Sequence, residues 1–226
     1  MTARDVLETR QAVAERMSQV TQGHSLALCF GNGGCPRSLL DTTPLQERLE
    51  ETLVEANLLA FLQRKVEGPL HHSHTFQVAV ANCPNACSQV PIKDFGVIVQ
   101  EKPAIHGDLC NGCGDCIKAC REEAIIMKEG RPSIIEERCL LCGDCRRACP
   151  LEAINARERG YLVLIGGKLG RHPQLARPLL HMASEDQVVT ALELTLDFYK
   201  RHSQKGERLG TVIQRTGWRE LEKIFC

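Results

Sequence analysis

The sequence predicts an α+β domain interrupted by a small cysteine-rich module. Strand and helix patterns occur before residue 105 and after residue 155, whereas the residues between them contain eight cysteines and little continuous apolar sequence. Neither outer part looks able to bury its own apolar faces, so we expect the two to form one fold. The predicted domains are therefore residues 1–104 with 156–226, and the inserted residues 105–155.

Composition argues against several classes of partner. The 226 residues include 28 Lys and Arg against 28 Asp and Glu, so net charge attracts neither nucleic acid nor an anionic membrane. No apolar stretch is long enough for a membrane span, and the first residues lack the apolar region of a secretory signal. We expect a cytoplasmic protein whose thirteen cysteines are metal ligands or redox groups.

Two helices and three strands are predicted before the insertion. A helix over Ala3 to Val20 precedes a strand over Ser25 to Cys29. A long helix begins at Asp41 to Pro44 and runs to about Val66. β-branched and apolar runs predict strands at Thr75 to Ala81 and Gly96 to Gln100.

The outer domain resumes after the insertion with a strand over Tyr161 to Ile165, which ends in a glycine-rich loop. Ser184 is the predicted N-cap of a long helix towards His202, and shorter helices follow from Gly206 and Thr216. Two other features carry no predicted site. The histidines at positions 71, 72 and 74 are expected in an exposed loop, and Cys226 as a free terminal thiol.

The inserted module contains an internal repeat. Residues 110–120 and 139–149 share the spacing C-x2-C-x2-C-x3-C, and a Glu-Ala-Ile tail follows each copy. In this pattern three cysteines of one copy hold a [4Fe-4S] cluster and the fourth ligates the other cluster. The first cluster is predicted on Cys110, Cys113, Cys116 and Cys149. The second is predicted on Cys120, Cys139, Cys142 and Cys145.

Zinc is the alternative ligand for paired C-x2-C motifs, but eight cysteines at this doubled spacing fit two clusters better. Residues 105–155 resemble bacterial two-cluster ferredoxins. Pro150 follows the second copy, whereas Arg121 stands at the equivalent position after the first. A cation beside Cys120 is expected to raise the potential of the cluster that Cys120 ligates.

Four further cysteines precede the module in two pairs. Cys29 and Cys35 are separated by five residues, and Cys83 and Cys87 by three. Packing of small buried cysteines is one interpretation, and a four-cysteine zinc site is another. A third metal centre is favoured because Cys83 and Cys87 lie in a loop of Asn, Pro and Ser, which makes poor core. The residues alone leave the identity of its metal open.

A resemblance to a known family indicates which metal centre these four cysteines hold. Cys29-x5-Cys35 and the segment from Asn82 to Gln89 resemble the cluster motif of siroheme-dependent sulfite and nitrite reductases. The likeness continues through Ile92 to Ile98, Tyr161 to Gly170 and Glu207 to Trp218. With its inserted ferredoxin-like module, the chain is similar to dissimilatory and anaerobic-type sulfite reductase subunits.

The resemblance implies a cofactor and a reaction. It implies that Cys29, Cys35, Cys83 and Cys87 hold a third [4Fe-4S] cluster, and that the Cys87 thiolate bridges this cluster to a siroheme iron. A coupled cluster and macrocycle of this kind suits the six-electron reduction of sulfite to sulfide.

The chain resembles only the cluster-bearing half of the full-length reductases. The other half normally supplies much of the siroheme pocket and the basic residues that bind the anionic substrate. Candidate cations in this chain for the siroheme carboxylates are Arg37, Lys93, Lys168, Arg171 and His172. Lys168 and Arg171 are preferred because their glycine-rich loop also offers backbone amides. Ordinary solvated loop charge is the alternative.

Two functions follow from this set of residues. In the first, the protein reduces sulfite or a related small oxyanion, and electrons pass through the two ferredoxin clusters to the siroheme-coupled cluster. It then needs a redox partner protein or subunit as electron donor, and a second subunit or a homo-oligomer in place of the absent half. In the alternative, the chain is a three-cluster electron-transfer protein without siroheme that serves a partner redox enzyme.

Overall fold

The structure is a computed structural model that describes residues 22–225, so the predicted helix over Ala3 to Val20 and Cys226 lie outside the described residues. Five strands form one sheet: β1 (His24–Leu28), β2 (Phe76–Ala81), β3 (Phe95–Ile105), β6 (Ile154–Ile165) and β7 (Arg177–Ala183). A separate hairpin contains β4 (Ile125–Lys128) and β5 (Arg131–Ile134). The order in the larger sheet is β1-β2-β3-β6-β7.

The larger sheet is mixed. β1, β2 and β3 are parallel, and β6 is antiparallel to both β3 and β7. The β3–β6 ladder runs from Phe95 opposite Ile165 to Ile105 opposite Ile154. Both strands are longer than predicted, because their polar outer halves pair with each other where the sequence shows no apolar alternation. The inserted residues leave and rejoin the sheet at the end of this ladder.

Strand β7 was not predicted from the sequence. Its pattern is mostly half-exposed and it contains Pro178, which is tolerated at a sheet edge because that side needs no ladder hydrogen bond. The other four sheet strands were predicted, with shorter bounds for β3 and β6.

Among the described residues, the outer part of the chain contains five α-helices: α1 (Thr43–Glu55), α2 (Leu58–Lys65), α5 (Glu185–His202), α6 (Leu209–Thr216) and α7 (Trp218–Glu222). The single helix predicted up to Val66 is wrong, because Asn57 adopts a left-handed φ of 46° and separates α1 from α2. The predicted cap of α5 is confirmed, since Ser184 and Gln187 form a capping box. No helix within residues 22–225 is long and apolar enough to cross a membrane.

The main core lies between one face of the sheet and the outer helices. α1 contributes Leu45, Leu49 and Leu53, which repeat every four residues and are fully buried. Phe76 of β2 and Tyr199 of α5 lie at the centre of this core, with ring centroids 5.4 Å apart. The other face of the sheet carries a smaller buried cluster, which includes Ala79, Ala81, Ile98 and Leu164. This core fixes where β1 and β2 end, and the first cysteine loops begin at those two ends.

Two short helices, α3 (Asp115–Ala119) and α4 (Asp144–Arg147), belong to the inserted residues. Elsewhere, His71 and His72 are exposed as predicted, whereas His74, the last residue of the short 3-10 helix His72–His74, is half-buried.

Candidate functional site

The first group of cysteines gathers where two parallel strands end. Cys29 directly follows β1, and Cys83 lies two residues after β2, its neighbour in the sheet. Burial raises the pKa of the Cys83 thiol, a hydrogen bond from the Asn85 backbone opposes that rise, and Cys29, Cys87 and Cys35 raise the pKa further. The thiols of both pairs are therefore close enough to interact electrostatically. Cys35 and Cys87 are the exposed members of the group.

Asn82 joins the two loops that carry these cysteines. Its side chain is almost fully buried, and its Nδ2 donates to Asn32 Oδ1 at 2.5 Å and to the Leu40 carbonyl at 2.9 Å. Its backbone N–H donates to Cys29 Sγ at 3.2 Å. A Cβ at Gly31 would collide with the Asn82 side chain, so only glycine permits this approach.

The sequence repeat in the inserted residues is also a structural repeat. Gly114 and Gly143 have φ values of 81° and 70° and precede α3 and α4. Cys120 Sγ accepts a hydrogen bond from Ala124 N at 3.3 Å, and Cys149 Sγ accepts one from Ala153 N at 3.2 Å. Donation of backbone N–H groups to sulfur stabilises a thiolate, which is the form of cysteine that binds metal.

Each copy of the repeat exchanges one cysteine with the other. One cavity has Cys110, Cys113, Cys116 and Cys149 in its lining. A second cavity has Cys120, Cys139, Cys142 and Cys145 in its lining. These are the two groupings that the doubled ferredoxin pattern requires. The assignment of a cluster to each cavity stays a prediction.

Four of the eight thiols in the two cavities are affected by burial. Burial raises the pKa of Cys145 to about 12, and it also raises the pKa values of Cys116, Cys139 and Cys142. Binding to a positively charged metal centre would offset this effect of burial and favour the thiolate. Within residues 22–225, no three His, Cys, Asp or Glu side chains are arranged to hold a single metal ion.

The inserted residues are attached to the sheet by a buried carboxylate. Glu101 of β3 has a fully buried side chain that accepts hydrogen bonds from Arg146 Nε at 2.5 Å and Arg159 Nε at 2.9 Å. Burial alone would raise the pKa of Glu101, but the two arginines outweigh it and hold the pKa below its usual range. The Glu101 N–H also donates to the Leu141 carbonyl at 2.8 Å.

A second connection joins the repeat to the first cysteine loop. Arg37, two residues after Cys35, donates to Asp144 at 2.7 Å, and Asp144 also pairs with Arg147 at 2.6 Å. Moreover, Pro84 and Asn85 contribute to the lining of the second cavity. The loop between Cys83 and Cys87 is thus a neighbour of the predicted second cluster.

The candidate cations for siroheme have different surroundings. Lys168 is buried, and its Nζ donates to Thr211 Oγ1 at 2.8 Å and Gln214 Oε1 at 3.4 Å. Arg171 and His172 are exposed in the same loop. Arg37 forms an ion pair with Asp144. Burial lowers the pKa of Lys93, and the positive charge of Arg208 lowers it further. Lys168 therefore already has two hydrogen-bond partners, whereas Arg171 is exposed, and the role of both toward siroheme stays a prediction.

Sequence reasoning did not assign roles to Asn82, Glu101, Arg146, Asp144 or Arg159. For Glu101 a signal was present, since a charged residue follows the apolar run at Val97 to Val99 within the same strand. Asn82 adjoins Cys83 in the motif, but nothing in the sequence shows which loop its amide contacts.

Comparison with known proteins identifies the family. Residues 21–225 match the family described as nitrite and sulphite reductase 4Fe-4S domain. The chain belongs to this family. Membership confirms the prediction of an iron–sulfur protein of the sulfite and nitrite reductase type, and it confirms the family part of the resemblance.

Two curated relatives of this nitrite and sulphite reductase 4Fe-4S domain are sulfite reductases or their subunits. The chain is 35% identical over 199 residues, 87% of its length, to the coenzyme F420-dependent sulfite reductase of Methanocaldococcus jannaschii. It is 31% identical over 103 residues, 46% of its length, to a subunit of the anaerobic sulfite reductase of Salmonella typhimurium. The aligned regions span 30% and 26% of these relatives, respectively.

A solved structure supports the fold. Dissimilatory sulfite reductase I superposes with a TM-score of 0.62 at 21% identity, covering 88% of this chain and 51% of that one. This likeness concerns the fold alone. The predicted fold class therefore holds as a mixed α and β fold of the sulfite and nitrite reductase type.

Proposed function

We propose that this chain is the cluster-bearing part of an enzyme that reduces sulfite or a related small oxyanion. The observation that carries the proposal is the division of twelve cysteines into three groups, two of which surround separate cavities. Residues 105–155 would act as the two-cluster ferredoxin module, and residues 1–104 with 156–226 as the siroheme and cluster domain. Family membership and the sulfite reductase relatives support the choice of reaction.

The residues fit three [4Fe-4S] clusters by their chemistry. Each group supplies four thiols, and backbone N–H groups are aimed at Cys29, Cys120 and Cys149. When bound, these clusters supply one-electron carriers, and siroheme supplies the metal centre at which an oxyanion is reduced. Pro84 and Asn85 contact the second cavity. This contact favours electron delivery from the ferredoxin module to the cluster at the loop between Cys83 and Cys87.

The chain's own residues would position these groups and neutralise their charge. Exposure of Cys87 leaves its sulfur accessible to a macrocycle, and Arg171 offers an exposed cation for a carboxylate. A redox partner would donate electrons, and a second subunit or another copy of the chain would complete the substrate pocket.

The deciding experiment is the visible spectrum of the protein purified anaerobically from a host that makes siroheme. We expect tetrapyrrole bands in addition to the broad absorption of iron–sulfur clusters, together with sulfite-dependent oxidation of a reduced dye. A protein with full iron content, no tetrapyrrole bands and no reduction of sulfite or nitrite would instead be a three-cluster electron carrier. Family membership does not favour that alternative.

A further inference from the structure

A basic cleft lies where segments next to all three cysteine groups meet. Its lining includes Arg37, Lys118, Arg121 and Arg147, and the acidic residue in it is Asp144. Pro36, Ala119 and Ala148 supply uncharged parts of the lining. We refer to this set of residues as the basic cleft.

The charge of the basic cleft is local. Residues 105–155 contain seven Lys and Arg against nine Asp and Glu, so the inserted segment as a whole is slightly acidic. Asp144 is already shared by Arg37 and Arg147, and Asp115 pairs with Lys118 at 3.0 Å. Arg121 is exposed and has no ion pair or side-chain hydrogen bond to any described residue. The four cations of the cleft therefore exceed Asp144 and Asp115 by two charges, and the side chains of Arg121 and Lys118, the latter 76% exposed, face solvent.

Predicted ligands of every cluster flank the cleft. Pro36 follows Cys35, Arg121 follows Cys120, and Ala148 precedes Cys149. A molecule seated in the cleft would thus be within one or two residues of thiols from each group. Short distance favours electron transfer, and the small side chains of Ala119 and Ala148 permit close approach.

We propose that the basic cleft is the docking site for an acidic electron-transfer protein that reduces this chain. The proposal rests on the proposed function, because it needs bound clusters to receive the electrons. Complementary charge increases the association rate and orients the partner, while exposed pairs such as Lys118 with Asp115 cost little to rearrange. The chain's balanced net charge makes this patch, rather than the whole molecule, the source of attraction.

The test compares two double variants of the full-length, cluster-loaded protein. K118E/R121E reverses two exposed cations in the cleft. K128E/K223E makes the same change of charge elsewhere, at exposed Lys128 of the inserted segment and at Lys223, which pairs with Glu220 as Lys118 pairs with Asp115. An acidic bacterial ferredoxin is the probe, and its binding is measured by calorimetry at several NaCl concentrations.

We expect K118E/R121E to weaken ferredoxin binding by about tenfold or more at low salt, and K128E/K223E to change it by less than about twofold. Stopped-flow reduction by ferredoxin should slow more than reduction by dithionite in the same variant, because the effect of Arg121 on the potential of the adjacent cluster acts on both reactions. If the cleft variant loses iron, K118Q/R121Q replaces it, with an intermediate loss of binding expected.

Equal binding by the parent and the cleft variant would overturn the proposal. So would binding of sulfite or phosphate in the cleft with ferredoxin binding unchanged in the variant, because the cleft would then be a small-anion site. Iron and sulfide assays on the same samples separate the two proposals. If the protein contains no clusters but still binds ferredoxin in a charge-dependent way, the proposed function is contradicted and the docking surface is not.

Discussion

At the scale of single residues, Asn82 shows how one buried amide can organise a group of cysteines. Its side chain contacts Asn32, Leu40 and Thr42, while its backbone N–H reaches Cys29. Thiols placed on two separate loops need such a connection, because each loop alone has many conformations. The four cysteines thus depend on a residue that carries no ligand atom for them.

Asn82→Ala should lower the free energy of unfolding by about 2–3 kcal/mol, since it leaves several buried polar partners without hydrogen bonds. We also expect loss of the iron bound by Cys29, Cys35, Cys83 and Cys87. Guanidinium unfolding and iron assays under anaerobic conditions measure both effects. Asn155→Ala is the control, because Asn155 is exposed in β6 and should change stability by no more than about 0.5 kcal/mol. Full iron content in Asn82→Ala would contradict this role.

Cys87→Ser tests the exposed thiol. We expect the variant to lose the coupling between siroheme and cluster and to lose sulfite reduction, because a hydroxyl is a poor ligand for cluster iron. The two clusters of residues 105–155 should still accept electrons, which low-temperature electron paramagnetic resonance detects. Cys226→Ser makes the same chemical change at a cysteine with no predicted ligand role, and it should behave like the parent. Normal sulfite reduction by Cys87→Ser would rule out a bridging role.

At the scale of elements, the β3–β6 ladder explains how a cysteine-rich insertion is held by an ordinary sheet. The ladder ends at Ile105 and Ile154, and Glu101 within it pairs with Arg146 of α4. Gly143, which directly precedes α4, allows this contact. A Cβ there would lie 2.8 Å from Glu101 Oε1 and 2.9 Å from Leu39 Cδ2. The orientation of the second cysteine repeat therefore depends on a contact with the sheet.

Glu101→Gln should loosen that attachment, because a neutral amide cannot balance both Arg146 and Arg159. We expect a stability loss of about 1–3 kcal/mol and faster amide exchange around residues 141–147. Hydrogen exchange with mass spectrometry measures the local effect. Glu136→Gln is the matched control, since Glu136 is 77% exposed and its pair with Lys102 spans 3.8 Å. Unchanged exchange in Glu101→Gln would show that packing alone attaches the segment.

The two cavities give a separate prediction for the repeat. The parent protein should contain about twelve iron atoms and twelve sulfides per chain, at four of each per cluster. Cys113→Ser and Cys142→Ser should each release one cluster and leave about eight iron atoms. Anaerobic iron and sulfide assays measure these contents. About eight iron atoms in the folded parent would contradict the presence of a third cluster.

At the scale of the whole molecule, the main core of the outer domain and the core of the inserted segment have very different sizes. The outer core packs five helices on the sheet, whereas the buried apolar cluster of the inserted segment consists of Cys116, Ile125, Cys145 and Ile154. Two of those four residues are predicted ligands. Stability of the inserted segment should therefore come largely from cluster ligation.

Removal of the clusters should leave residues 105–155 with unprotected amides while the outer core keeps protection. Hydrogen exchange on cluster-free protein measures this difference, and the cluster-loaded protein is the reference. β3 should divide at about Gln100, with residues 95–99 protected because Phe95, Val97 and Val99 belong to the outer core. Equal protection of residues 105–155 with and without clusters would show that the segment folds by packing.

The sequence by itself determined the cysteine groups, the repeat and most of the strands. Each of these depends on short-range spacing, such as C-x2-C-x2-C-x3-C or a run of β-branched residues, and such spacing is visible without tertiary contacts. The break between α1 and α2 was not predicted, because apolar residues continue at helical spacing across Asn57. Strand β7 was not predicted either, because this edge strand contains a proline and has no clear alternation of apolar and polar residues.

Only the tertiary structure decided which distant residues meet. Arg37 and Asp144 lie 107 positions apart, and Glu101 and Arg146 lie 45 apart, so no local pattern relates them. The parallel order of β1 and β2 placed Cys29 beside Cys83, and the β3–β6 ladder placed the repeat beside both. The basic cleft arises for the same reason. Its cations lie in three separate segments, and their shared position is a consequence of how the strands pair.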